Sequence, residues 1–160
     1  MNIQKHYDSV YKFNDIAGNL TDVDVAKLNA QMKVVVEEIK ELQDAFDNKD
    51  AVELLDGACD GFVTLMGLIQ QMEKVGFKVD EALQRVCDNN LSKFVNDITN
   101  LDVVYACDNE WKIVPNYQHS CYVFKDGNNK IRKPINFVPV EISDLVPDNF
   151  FGGEVCEKKQ

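Results

Sequence analysis

The chain has 160 residues, a formal net charge of −10 and 45% apolar residues. That length suits one domain with a real core. The acidic balance, with no basic stripe to offset it, argues against nucleic acid as a partner, and no apolar run approaches the ~20 residues of a membrane span.

The first predicted helix runs from about Ile3 to Ile16, with Val10, Phe13 and Ile16 as its apolar stripe and Tyr7 beside them. Gly18 and Asn19 stop it. Asp22 or Asp24 caps a second helix that continues to about Asn48, and DNKD is the turn. A third helix starts near Asp50, runs to about Val75 and ends at Gly76. It carries Gly57, Gly61 and Gly67 in its interior, each costing about 1 kcal/mol against alanine. Close helix approach, or room beside a ligand, is the expected return. A fourth helix is predicted from about Asp80 to Ile98, which makes a four-helix arrangement. After Asn100 short β-type runs replace the helical period: DVVYACD, KIVPNY and SCYVFKDGNNKIRKPINFVPV. Asp126-Gly127 is a hairpin signal, and four prolines break the region into short pieces. The expected organisation is a mainly α protein: a helical bundle over residues 1–100 and a C-terminal extension, 101–160, with a small hairpin and irregular tail. That extension is too short for its own core and is expected to pack on the bundle or on a neighbouring subunit.

Two acidic clusters stand inside the apolar helices. Glu37, Glu38 and Glu41 lie in VVVEEIKELQDAF, and Glu53, Asp56 and Asp60 lie in AVELLDGACD. Steps of three and four put each cluster on one helix face. Taken singly, acids at this spacing are most often a solvated face. Here Val34, Val35, Val36, Ile39, Val52, Leu54 and Leu55 surround them, so the helices read as buried nearly all round. Two antiparallel helices can then point both clusters into one pocket. Converging carboxylates repel unless a cation holds them, and hard oxygen donors suit magnesium or manganese.

The pattern Glu37-Glu38-x-x-Glu41, a short gap, then Glu53-x-x-Asp56 resembles the signature of the all-α nucleoside triphosphate pyrophosphohydrolases. The opening VYKFNDIAGN and the later DNNLSKF resemble the MazG-like, phage-encoded branch, as does Lys133-Pro134-Ile135-Asn136-Phe137-Val138-Pro139. The resemblance implies a four-helix MazG-like bundle that cleaves (deoxy)nucleoside triphosphates to monophosphate and pyrophosphate. It implies Mg2+ or Mn2+, two or three ions per site, on Glu38, Glu41, Glu53 and Asp56. Glu37 then binds a further ion or accepts a proton from the attacking water; Asp60, one turn beyond Asp56, either ligates directly or through water or holds an ordinary hydrogen-bonded role. The resemblance places Asn90 and Lys93 at the phosphates and Phe13 and Asn14 at the base, although Phe13 on an apolar stripe is equally a core residue; Lys133, in the tail, could reach an adjacent active site. Many relatives have histidine where Asn14 stands. Asparagine suits adenine, so purine deoxynucleotides (dATP, dGTP) are one substrate class; a dUTPase-like or dCTPase-like specificity is the other. Relatives are dimers or dimers of dimers, so a homodimer or homotetramer is expected. A phage nucleotide-pool enzyme in the host cytoplasm is the setting this implies.

The amino terminus MNIQKHYDSVYKF lacks a signal-peptide core, which predicts a cytoplasmic chain. The cysteines Cys59, Cys87, Cys107, Cys121 and Cys156 are odd in number and show no C-x-x-C pair, so free thiols are expected, with Cys59 and Cys87 as small buried hydrophobes. A di-iron site needs Glu-x-x-His pairs, and neither His6 nor His119 follows a glutamate by three. Two alternatives remain at this level: Arg85 and Arg132 as weaker phosphate contacts, and a non-catalytic interaction module with the acids as its binding face.

Overall fold

The computed structural model describes residues 1–151, so Cys156 lies outside the described residues. The chain is mainly helical with a small antiparallel sheet. It forms two compact units, one of residues 1–79 with the segment from 145 onward, the other of residues 80–144. The fourth helix therefore groups with residues up to 144 rather than with the first three helices. No described helix is long and apolar enough to cross a membrane.

The first unit holds α1 (Ile3–Ile16), α2 (Val25–Asp47) and α3 (Ala51–Lys74). Each begins at a side-chain cap that satisfies an orphan amide: Asn2 accepts from Lys5 N, Asp24 from Lys27 N, and Asp50 from Val52 N and Glu53 N. Gly18, at φ +72°, turns the chain after α1. Antiparallel packing of α2 on α3 follows from the order of their contacts: Leu42 lies beside Gly57, Ile39 beside Gly61, and Gln31 beside Gly67. Val10, Leu20, Leu28, Ala45 and Met66 form the buried apolar core.

Helices buried nearly all round were expected, and the single chain does not provide this. Val36, Ile39, Val52 and Leu55 are 63%, 52%, 75% and 69% exposed. One helical hairpin with one further helix covers only one side of each, so the other side stays open. The expected stripe of α1 is likewise split. Val10 and Tyr7 turn inward, while Phe13 and Ile16 fall on the outer flank. Residues 145–151 pack on this unit: Leu145 is buried, its carbonyl accepts from Lys78 N, and Phe150 meets Phe77 edge-on at 4.9 Å.

The second unit contains α4 (Val79–Leu91), β1 (Phe94–Val95), α5 (Asn100–Asp108), β2 (Lys112–Asn116) and β3 (Cys121–Lys125). The sheet order is β1-β3-β2, all antiparallel, with Phe94 and Val114 both paired to Val123. α4 ends earlier than expected because Phe94 and Val95 are taken by β3. DVVYACD, expected as a β-type run, is helix α5. Thr99 and Asp102 form a reciprocal capping box there, and that local signal overrides the β-branched composition. The β2–β3 turn lies at residues 117–120. Asp126-Gly127 makes the next reversal, after which Ile131 bridges back to Lys125. Phe124 is fully buried at the centre of this unit, with Val123 and Ala106.

Candidate functional site

The seam between α2 and α3 sets the geometry of the acids. A β-carbon on Gly57 would stand 3.1 Å from the Cα of Leu42, and one on Gly61 would stand 3.3 Å from Ile39 Cδ1. The two backbones are thus closer than any larger residue at position 57 would allow. Glu41 adjoins Leu42 and Asp56 adjoins Gly57, so the close approach carries both clusters to the same stretch of the seam.

Glu38 is the electrostatic centre. Its carboxyl is pushed above the ordinary glutamate value, first by desolvation, then by Asp60, Glu41, Glu37 and Asp56. Four of the other predicted acids, from two helices, therefore act on Glu38. Glu53, in the first turn of α3, is not among the groups that perturb Glu38. Glu38 is half-buried and the other five are exposed, so the deep acidic pocket expected from the sequence is an open acidic groove in the single chain. Among the described residues no group of three or more His, Cys, Asp or Glu side chains stands close enough to hold one metal ion. The donor chemistry still fits a hard divalent ion, since the groups that perturb Glu38 are all carboxylates.

Phe13 and Asn14 are adjacent in sequence and opposite in environment. Phe13 is 67% exposed, whereas Asn14 is 5% exposed. The Asn14 carboxamide is engaged at both ends: Nδ2 donates to Gln70 Oε1 at 3.2 Å, and Oδ1 accepts from Asn19 Nδ2 at 3.0 Å. Its amide is tied into the fold, and Gly67 leaves the space it occupies. Gln70 and Gln71, both buried, complete this amide cluster. Sequence reasoning missed them, although two glutamines inside LMGLIQQM were a signal that polar groups enter the interior.

Asn90, Lys93 and Lys133 belong to the second unit. Lys93 Nζ donates to Asn90 Oδ1 at 2.7 Å, so the predicted pair is formed. Both line a cavity of about 450 Å³ with Cys87, Leu91, Phe94 and Ile131. Lys133 lies over the Phe137 ring at 4.8 Å. The two arginines are engaged elsewhere. Arg85 binds Glu81 and Asp144, and those carboxylates hold its guanidinium above the usual arginine range. Arg132 binds Asp126 and sits over Trp111, which also packs edge-on against Tyr105. Cys59 and Cys87 are exposed, against the expectation that they are buried; both lie on outward faces of their helices. All four described cysteines are free thiols. The chain matches no protein-family model, no curated protein and no solved structure.

Proposed function

We propose that the chain is a metal-dependent pyrophosphohydrolase that cleaves (deoxy)nucleoside triphosphates to a monophosphate and pyrophosphate. What supports this reading is that acids of two helices, Asp60 and Asp56 on α3 and Glu41 and Glu37 on α2, all push the Glu38 carboxyl above its ordinary value. A site that gathers like charges destabilises itself unless a cation is its working partner.

Glu38, Glu41 and Asp56 are the first donors for magnesium or manganese, with Asp60 next along α3 and Glu53 at its start. When bound, the ions lower the pKa of water and neutralise the phosphate oxygens. Glu37, beside Glu38 and exposed, is placed to take the proton of the attacking water. Within the second unit, Lys93, paired with Asn90, and Lys133 are the cations that the resemblance offers for a phosphate. Phe13 offers an exposed ring for stacking on a base. Asn14, held by Asn19 and Gln70, supports the helix that presents Phe13 rather than reading the base edge. Purine deoxynucleotides are one candidate substrate class, and uracil or cytosine nucleotides are the other.

The exposed apolar residues that interleave with the acids favour a second copy of the chain as the cover. Val36, Ile39, Val52 and Leu55 flank the groove on α2 and α3, and a homodimer would bury them and complete a helical bundle of the MazG-like kind. Homotetramers extend the same logic. The open groove favours one other reading, an acidic interaction module without turnover. Incubation with a panel of nucleotides, with and without magnesium, separates the two. Magnesium-dependent release of pyrophosphate and a monophosphate supports the enzyme. No product from any nucleotide supports the module.

A further inference from the structure

Helix α1 is attached to α3 by hydrogen bonds more than by apolar burial. Tyr7 Oη donates to Glu73 at 2.5 Å, Gln70 Nε2 donates to Tyr7 O at 3.1 Å, and Asn14 Nδ2 donates to Gln70 Oε1 at 3.2 Å. Lys74 Nζ donates to Tyr11 Oη at 2.9 Å and lies over that ring. The loop after α1 is held the same way, by Gln71 Nε2 on Asn19 O at 3.3 Å. Of the apolar side chains on α1 only Val10 is buried, while Ile3, Phe13 and Ile16 are 52%, 67% and 77% exposed.

Such a seam opens at low cost. Of the apolar side chains on α1, lifting the helix takes only Val10 out of a buried setting, so α1's own share of the hydrophobic penalty is small. Its hydrogen bonds exchange for bonds to water, which leaves a modest net loss for each. One group gains outright. Gln71 Oε1 is buried without a hydrogen-bond partner among the described residues, and opening the seam lets water reach it. The α2–α3 hairpin differs. Its backbones approach closely at Gly57, and its own Leu28, Ala45 and Met66 are buried.

We propose that α1 is a clasp that opens as a unit from α3 while the α2–α3 hairpin stays folded. The opening does not depend on the proposed catalytic activity. Its consequence for a bound base does, because Phe13 rides on α1.

Hydrogen exchange on the full chain at neutral pH tests this without any activity assay. The expected result is that amides of residues 5–17 exchange together, at least about a hundredfold faster than those at the centres of α2 and α3. The substitution Gln70→Ala removes the acceptor of Asn14 and the donor to Tyr7 O. It is expected to accelerate α1 further by roughly tenfold, with the hairpin unchanged. Equal protection of α1 and the hairpin in the unsubstituted protein overturns the proposal. Uniform acceleration of all three helices by Gln70→Ala overturns it as well.

Discussion

Gly57 and Leu42 bring two helix backbones together, and a methyl group on Gly57 would come within 3.1 Å of the Leu42 Cα. The atom it meets is backbone, so no rotamer change relieves the overlap. Gly57→Ala gains about 1 kcal/mol of helix propensity, yet overpacking at such a contact costs typically 1–3 kcal/mol. The expected outcome is net destabilisation and a weaker hold on divalent ions, because α2 and α3 must separate beside Glu41 and Asp56. Denaturant unfolding and magnesium calorimetry read the two effects. Gly127→Ala serves as the control, since nothing lies within 4 Å of its added methyl. A Gly57→Ala protein as stable as its parent would mean the seam is looser than described.

The neighbours Phe13 and Asn14 are expected to part company under alanine substitution. Asn14→Ala strands Asn19 Nδ2 and Gln70 Oε1, and a buried unpaired polar group costs about 1–3 kcal/mol. Phe13→Ala removes an exposed ring and is expected to change stability by less than about 0.5 kcal/mol. If Phe13 stacks on a base, its loss raises KM for the nucleotide and leaves the melting temperature in place. Thermal melts of both variants with one substrate titration decide the assignment.

How far these features were legible depends on whether they are local. The caps Asp24 and Asp50 and the turn at Gly18 sit in their own sequence windows, and the helices begin and end where those residues direct. Thr99 and Asp102 were equally local, but the β-branched pair Val103-Val104 masked them. Which acids share a face followed from steps of three and four. Their exposure did not, because burial of Glu41 or Asp56 depends on what covers the outer side of α2 and α3. The environment of Phe13 and Asn14 was illegible for the same reason. One helix step of 100° separates them, and only the position of α3 decides which one turns inward.

Tyr7 gives the fold an alkaline limit. Its phenol is pushed from 10.0 up to about 12, first by desolvation and then by the hydrogen bond it donates to Glu73. The folded value lies above the unfolded one, so the folded state holds this proton more tightly. The stability it contributes is fully present below pH 10 and is lost as pH rises toward about 12. Tyr7→Phe is expected to be less stable at neutral pH and to show a flatter stability profile across that window. Urea midpoints measured between pH 8 and 12 for both proteins give the comparison; parallel profiles would remove Tyr7 from the alkaline transition.

Glu38 gives an opposite signature, because its charged form is the unfavourable one in the metal-free protein. Its raised carboxyl contributes most below the ordinary glutamate range, and that contribution fades as pH rises through the shifted value. Once Glu38 is ionised, the folded chain carries the repulsion of Asp60, Glu41, Glu37 and Asp56. Glu38→Gln removes the centre of that repulsion. The half-buried setting keeps the effect small, so a rise of no more than about 2 °C in the metal-free melting temperature is expected. If Glu38 is a metal donor, as proposed, magnesium is expected to raise the melting temperature of the parent more than that of Glu38→Gln. For turnover the direction reverses: Glu38→Gln and Asp56→Asn are each expected to lower pyrophosphate release by more than about a hundredfold while the far-ultraviolet circular dichroism stays unchanged. Activity retained in both variants would move the metal ions away from this groove, and with them the chemistry assigned to it.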